Sequence, residues 1–179
     1  MLPNFRAFAW RVMACHMASY FVAGLLAYTL MDYRGLFQTP GLAQFMRPLE
    51  SPWVAAGPAL QVFRGLLIAA VLFPFRSVFL EGGSGWLKLF ALTAGLSALS
   101  ASGAALGSLE GIVYTQLTLA QHLRGIPELL LQNGLFAWAV VAWNRRPGKA
   151  WNIVMAVCVT LVVLMSVAGV LAARTGAIR

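Results

Sequence analysis

The chain has 179 residues, 60% of them in the apolar set and only 10% charged, with a mean hydropathy of +0.79. A soluble domain carries about 25% charged residues and about 45–50% apolar ones, so a water-facing surface cannot be covered here and lipid must be the solvent for most of the chain. An excess of Lys+Arg 13 over Asp+Glu 5 would suggest nucleic acid in a soluble protein, but these basic residues flank apolar runs, where they set topology and meet phospholipid headgroups.

Nucleic acid is therefore excluded as a partner and membrane lipid is expected as one. A crossing needs about 20 apolar residues, which leaves short loops and no room for a folded extramembrane domain. The expected fold is all-α: one transmembrane helix bundle over residues 1–179, with about five spans plus one or two interfacial segments.

The first apolar run, residues 12–31, follows Arg6 and Arg11. No small-x-small cleavage site follows it, so it reads as a retained anchor. Residues 32–57 mix Arg34, Arg47 and Glu50 with Leu36, Phe37, Phe45 and Trp53, and prolines recur at 40, 48 and 52. Such a segment suits the membrane surface.

A second span is expected over residues 58–75, opening on Gly57-Pro58, because proline fits the first helical turn. The third, residues 86–107, is rich in small residues, and its Gly103-x-x-x-Gly107 spacing predicts close helix packing. Residues 110–125 read as a surface helix or re-entrant turn. Ile126-Pro127 then opens a fourth span over 126–143, and the basic loop 145–149 leads into a fifth over 151–173.

With the N-terminus in the cytoplasm, the inner flanks hold Arg6, Arg11, Arg76, Lys88, Arg145, Arg146 and Lys149. The outer flanks hold Arg34, Arg47, Arg124, Arg174 and Arg179, so the positive-inside bias sets that orientation.

Arg64 is the most informative residue, because a charge near a helix centre costs about 2.5–3.5 kcal/mol on insertion scales and so pairs or faces a polar cavity. Gln61 shares its face, and Glu128 and Gln132, spaced i and i+4, share a face of the fourth span at comparable depth. The spacing predicts an Arg64–Glu128 ion pair flanked by Gln61 and Gln132, with Glu110 and His122 added from the same side. A packing clamp without ligand accounts for the pair equally well.

Cys15 and Cys158 lie inside apolar runs and have no metal-ligand spacing. His16 lacks a second intramembrane histidine at matching depth, which rules out bis-His haem within one chain. No metal and no cofactor is expected. Nor does any HExxH, GxSxG, P-loop or GxGxxG motif occur.

The ordered series Arg47-Pro48-Leu49-Glu50, Gln61-x-x-Arg64-Gly65, Leu72-Phe73-Pro74-Phe75, Gly85-Trp86-Leu87 and Gly125-Ile126-Pro127-Glu128-x-x-x-Gln132 resembles a group of small, uncharacterised bacterial multi-pass membrane proteins. The similarity runs over residues 45–140 and implies a protein of the bacterial cytoplasmic (inner) membrane. It contributes no catalytic residue.

Three functions stay open. The first is a non-enzymatic protein that binds or transports a small solute or lipid in the Arg64 cluster. The second is an accessory subunit whose small-residue third span and surface segment 32–57 dock on a larger membrane complex, the other assembly expected being a homo-oligomer. A lipid-modifying enzyme resting on Glu110, His122 and Glu128 ranks last.

Overall fold

The computed structural model describes residues 2–99 and 105–175. Among them every regular element is helical: α1 (Phe5–Leu30), α2 (Tyr33–Phe37), α3 (Leu42–Phe45), α4 (Pro52–Leu72), a 3-10 turn (Phe73–Phe75), α5 (Arg76–Leu80), α6 (Gly85–Leu99), α7 (Leu109–Tyr114), α8 (Leu119–Arg145) and α9 (Lys149–Arg174). Four stretches among the described residues are long and apolar enough to cross a membrane: Phe5–Leu30, Pro52–Leu80, Leu119–Arg145 and Lys149–Arg174, of 26, 29, 27 and 26 residues. At 1.5 Å per residue each exceeds the roughly 30 Å of hydrocarbon. The chain is a helical multi-pass membrane protein.

The expected third span, 86–107, is described as far as Leu99 and again from Ala105. α6 is a 15-residue helix, about 22 Å long, and Gly107 sits in the left-handed region at φ 80°, so the helix has ended by then. Gly103, and with it the GxxxG pair, lies outside the described residues. A Cβ at Gly95 would meet nothing within 4 Å, so that glycine is not a close-packing contact. A close approach between two long helices occurs on α4, where a Cβ at Gly65 would lie 2.8 Å from Met13 Cα of α1.

Two helices begin earlier than their prolines suggest. α4 starts at Pro52 behind Ser51, which leaves Pro58 inside the helix. α8 starts at Leu119, where Thr118 and Gln121 form a reciprocal capping box, and Pro127 is internal. Each internal proline removes one backbone hydrogen bond, a loss that membrane helices tolerate when neighbouring groups re-satisfy the freed carbonyl. The segment after α1 is turned back by Asp32, at φ 46°, whose carboxylate accepts from Gly35 N at 3.2 Å.

α1 is the hub. α4 and α8 both pack against it and make no comparable contact with each other; α9 packs on α4 and α6 on α8. The core lies at the end of the bundle where α1 and α9 begin and α8 finishes: Phe8, Val12, Ala14 and Cys15 of α1 meet Ala69 and Leu72 of α4, Leu89 of α6, and Phe136, Val140 and Trp143 of α8.

Trp143 is completely buried, stacked on Trp151 at 5.9 Å and edge-on to Trp10 at 6.3 Å. Trp10 Nε1 donates to Asn152 Oδ1 at 3.1 Å, and Arg11 Nη1 to Asn144 Oδ1 at 3.0 Å. Between lipid-bathed helices apolar burial gives little transfer gain, so dispersion contacts and such interhelical hydrogen bonds hold this end together.

Candidate functional site

On α4 the helical period sorts the residues into three directions. Gln61, Gly65, Ala69 and Leu72 are buried toward the bundle, whereas Phe63, Leu67 and Val71 are each exposed by two-thirds or more and face outward. Arg64 and Ile68, one turn apart, point between these faces into a cavity of about 410 Å³.

Gly125, Glu128, Leu129, Gln132 and Phe136 of α8 line the same cavity at i, i+3 and i+4 spacing. Thr93, Leu96 and Ser97 of α6 form a further wall, and His16 of α1 and Tyr33 of α2 complete it. The cavity exists because α4 and α6 do not pack on each other.

Arg64 has no ion-pair or hydrogen-bond partner among the described residues; the ion pair found there is Arg34–Glu50 at 3.5 Å. The expected Arg64–Glu128 contact is therefore replaced by a shared cavity. Depth was not the obstacle: counted from Pro52 and Leu119, the two residues lie about 18 and 14 Å along their helices. The separation is lateral, since α4 and α8 pack on α1 without packing on each other.

Glu128 instead accepts a hydrogen bond from the Tyr33 hydroxyl. Burial, then that bond and the adjacent carboxylate charge, push the Tyr33 phenol above its usual range, so it remains a donor.

The other predicted residues separate. Gln61 is buried beside the cavity; its Nε2 donates to Gly57 O at 3.2 Å, so its Oε1 faces His16 and accepts from His16 Nε2–H at 3.1 Å. Gln132 lines the cavity with no hydrogen-bond partner among the described residues. Asn133 donates to Leu129 O at 2.8 Å, which leaves its Oδ1 available in the cavity wall.

Glu110 is exposed in the first turn of α7, away from the cavity lining. His122 is buried elsewhere: Gly107 N–H donates to its Nδ1 at 3.1 Å, so Nε2 carries the proton and bonds Thr115 Oγ1 at 3.3 Å. It ties the 105–118 segment to α8.

A second cavity, about 640 Å³ and predominantly apolar, adjoins the first. Tyr20, Phe21 and Leu25 of α1, Phe37 of α2, and Val54, Gly57 and Pro58 of α4 line it. Tyr33, Leu106 and Glu128 belong to the walls of both. The Tyr33–Glu128 hydrogen bond is thus the seam between a more polar chamber and a more apolar one.

Sequence reasoning missed Tyr33 and His16 as members of the site. A tyrosine just beyond a span reads as an interface anchor, and only the Asp32 turn, absent from any depth argument, swings it back to α8. Among the described residues no group of three or more His, Cys, Asp or Glu side chains is placed to hold a metal ion. No protein-family model, curated protein or solved structure matches the chain.

Proposed function

We propose that the chain binds a small molecule carrying an anionic group, either a free solute or a lipid headgroup, in the cavity around Arg64. The observation that carries this reading is a guanidinium about midway along a membrane-length helix, facing a cavity and lacking any protein partner among the described residues. A cation held there at that cost calls for an anion from outside the chain. Guanidinium suits a phosphate or carboxylate because its donors form a planar fork, and the Gln132 amide adds neutral hydrogen-bonding capacity nearby.

We read the role as non-enzymatic; among the described residues the aliphatic hydroxyls in the cavity wall, Thr93 and Ser97, donate to backbone carbonyls of their own helix. The protein belongs in this reading to the bacterial cytoplasmic membrane with its N-terminus inside, because Arg6, Arg11, Arg145, Arg146 and Lys149 gather at the tightly packed end.

Mass spectrometry of the purified protein should detect a co-purifying anionic species that Arg64→Met loses and Arg64→Lys partly keeps. An unchanged complement in Arg64→Met would overturn the reading. For orientation, cysteines placed at 147 and 40 should label from the cytoplasmic and outer sides respectively; labelling of both from one side contradicts it.

A further inference from the structure

Resting on the anion-binding reading, we infer that the ligand is a single-chain anionic amphiphile of the lysophospholipid type: its headgroup on Arg64, its polar linker at the Tyr33–Glu128 seam and its tail in the apolar chamber. A free solute would need only the first cavity. The second adjoins it across Tyr33, Leu106 and Glu128, which line both, and is larger, about 640 against 410 Å³.

Each volume lies within the range of about 300–1,000 Å³ typical of small-molecule sites. Polarity changes in the order of such a ligand. Arg64 and Gln132 face the first chamber, a phenol and a carboxyl stand at the junction, and Tyr20, Phe21, Leu25 and Phe37 line the second, together with the exposed Arg47.

A free hydroxyl at the junction would donate to the remaining lone pairs of Glu128 or of the Tyr33 oxygen, whose own proton is given to Glu128. An alkyl tail beyond it would meet aromatic and aliphatic walls. The chamber is open at its glycine: a Cβ on Gly57 would come no closer than 4.0 Å, to the Tyr20 hydroxyl. A larger side chain there would occupy the tail's place without touching Arg64.

The test compares binding of sn-glycerol 3-phosphate and lauroyl lysophosphatidic acid to the full-length protein by native mass spectrometry in a neutral detergent. Micelle partition is common to all variants, so the ratio of variant to wild-type affinity isolates the protein's contribution. Gly57→Leu should weaken lauroyl lysophosphatidic acid about tenfold, the size of a modest steric clash with the tail, and leave glycerol 3-phosphate unchanged. Val54→Phe, which fills the same chamber from the first turn of α4, should reproduce this pattern if Gly57→Leu folds poorly beside Pro58.

Arg64→Met should weaken both probes. Wild-type affinity for the lauroyl probe in both filling variants, or equal loss of both probes, would overturn the two-chamber assignment while leaving the anion reading standing. Unaltered binding of both probes to Arg64→Met, or no saturable binding to the wild type, would overturn the anion reading and the inference with it.

Discussion

The two ends of the bundle are built on opposite rules. At the end formed by the start of α1 and the finish of α8, small residues such as Ala9, Ala14 and Ala137 alternate with Phe8, Phe136 and Trp143, and every one of these is buried. At the other end α1, α4 and α8 carry Gly24, Gly57, Tyr20, Tyr28, Arg64 and Glu128, and two cavities open beside them. Close packing at one end fixes the helices, so the other can remain open without the bundle falling apart. Stability and binding should accordingly respond to different residues.

The largest effect should come from Trp143→Ala. The side chain is wholly buried between Trp10 and Trp151, and truncating such a group costs about 3–5 kcal/mol. Unfolding in detergent should show that loss, whereas the molecules that still fold should bind at Arg64 as before. A loss below about 1 kcal/mol would mean that this end is not the scaffold described here.

A pair of glycines sharpens the comparison at intermediate size. Gly65→Ala forces a methyl to within 2.8 Å of Met13 Cα, and overpacking of this kind costs about 1–3 kcal/mol. Gly95→Ala enters open space on α6 and should stabilise that helix by about 0.5–1 kcal/mol through backbone entropy. Opposite shifts in melting temperature are expected. Equal destabilisation would restore α6 as the closely packed helix that its composition implies.

That glycine contrast also marks where sequence reasoning reaches its limit. The apolar runs reveal the membrane helices because hydropathy over some 20 residues is a property of the chain itself. Helix starts were misplaced at Pro58 and Pro127, since a proline marks a first turn only when no better cap lies upstream, and Ser51-Pro52 and Thr118-x-x-Gln121 are better ones. Arg64, Glu128 and Gln132 could be singled out because intramembrane polarity is visible in one dimension. Which of them touch depends on lateral order around α1, and no periodicity encodes that order. Tyr33 illustrates the point: its partner lies 95 residues away, reached through a single left-handed residue at Asp32.

The smallest expected effect discriminates most sharply between the open end as a binding site and as a clamp. If Arg64 and Glu128 formed a buried pair, removing either would strand the other at a cost of about 3–5 kcal/mol, and removing both would recover most of it. They share a cavity without pairing, so Arg64→Met strands nothing. The coupling energy between Arg64→Met and Glu128→Gln in a detergent-unfolding cycle should stay within about 0.5 kcal/mol of zero, as for independent sites. Tyr33→Phe with Glu128→Gln supplies the contrast within the same cavity wall, since loss of a hydrogen bond to a charged group is worth about 1.5–3 kcal/mol. The second cycle should therefore show coupling where the first shows none. Coupling above about 2 kcal/mol between Arg64 and Glu128 would mean that the guanidinium closes onto the carboxylate, and the cation would then have its partner within the chain. With Arg64 unpaired, its substitution should abolish ligand binding at no cost in stability, a separation that a packing clamp cannot produce.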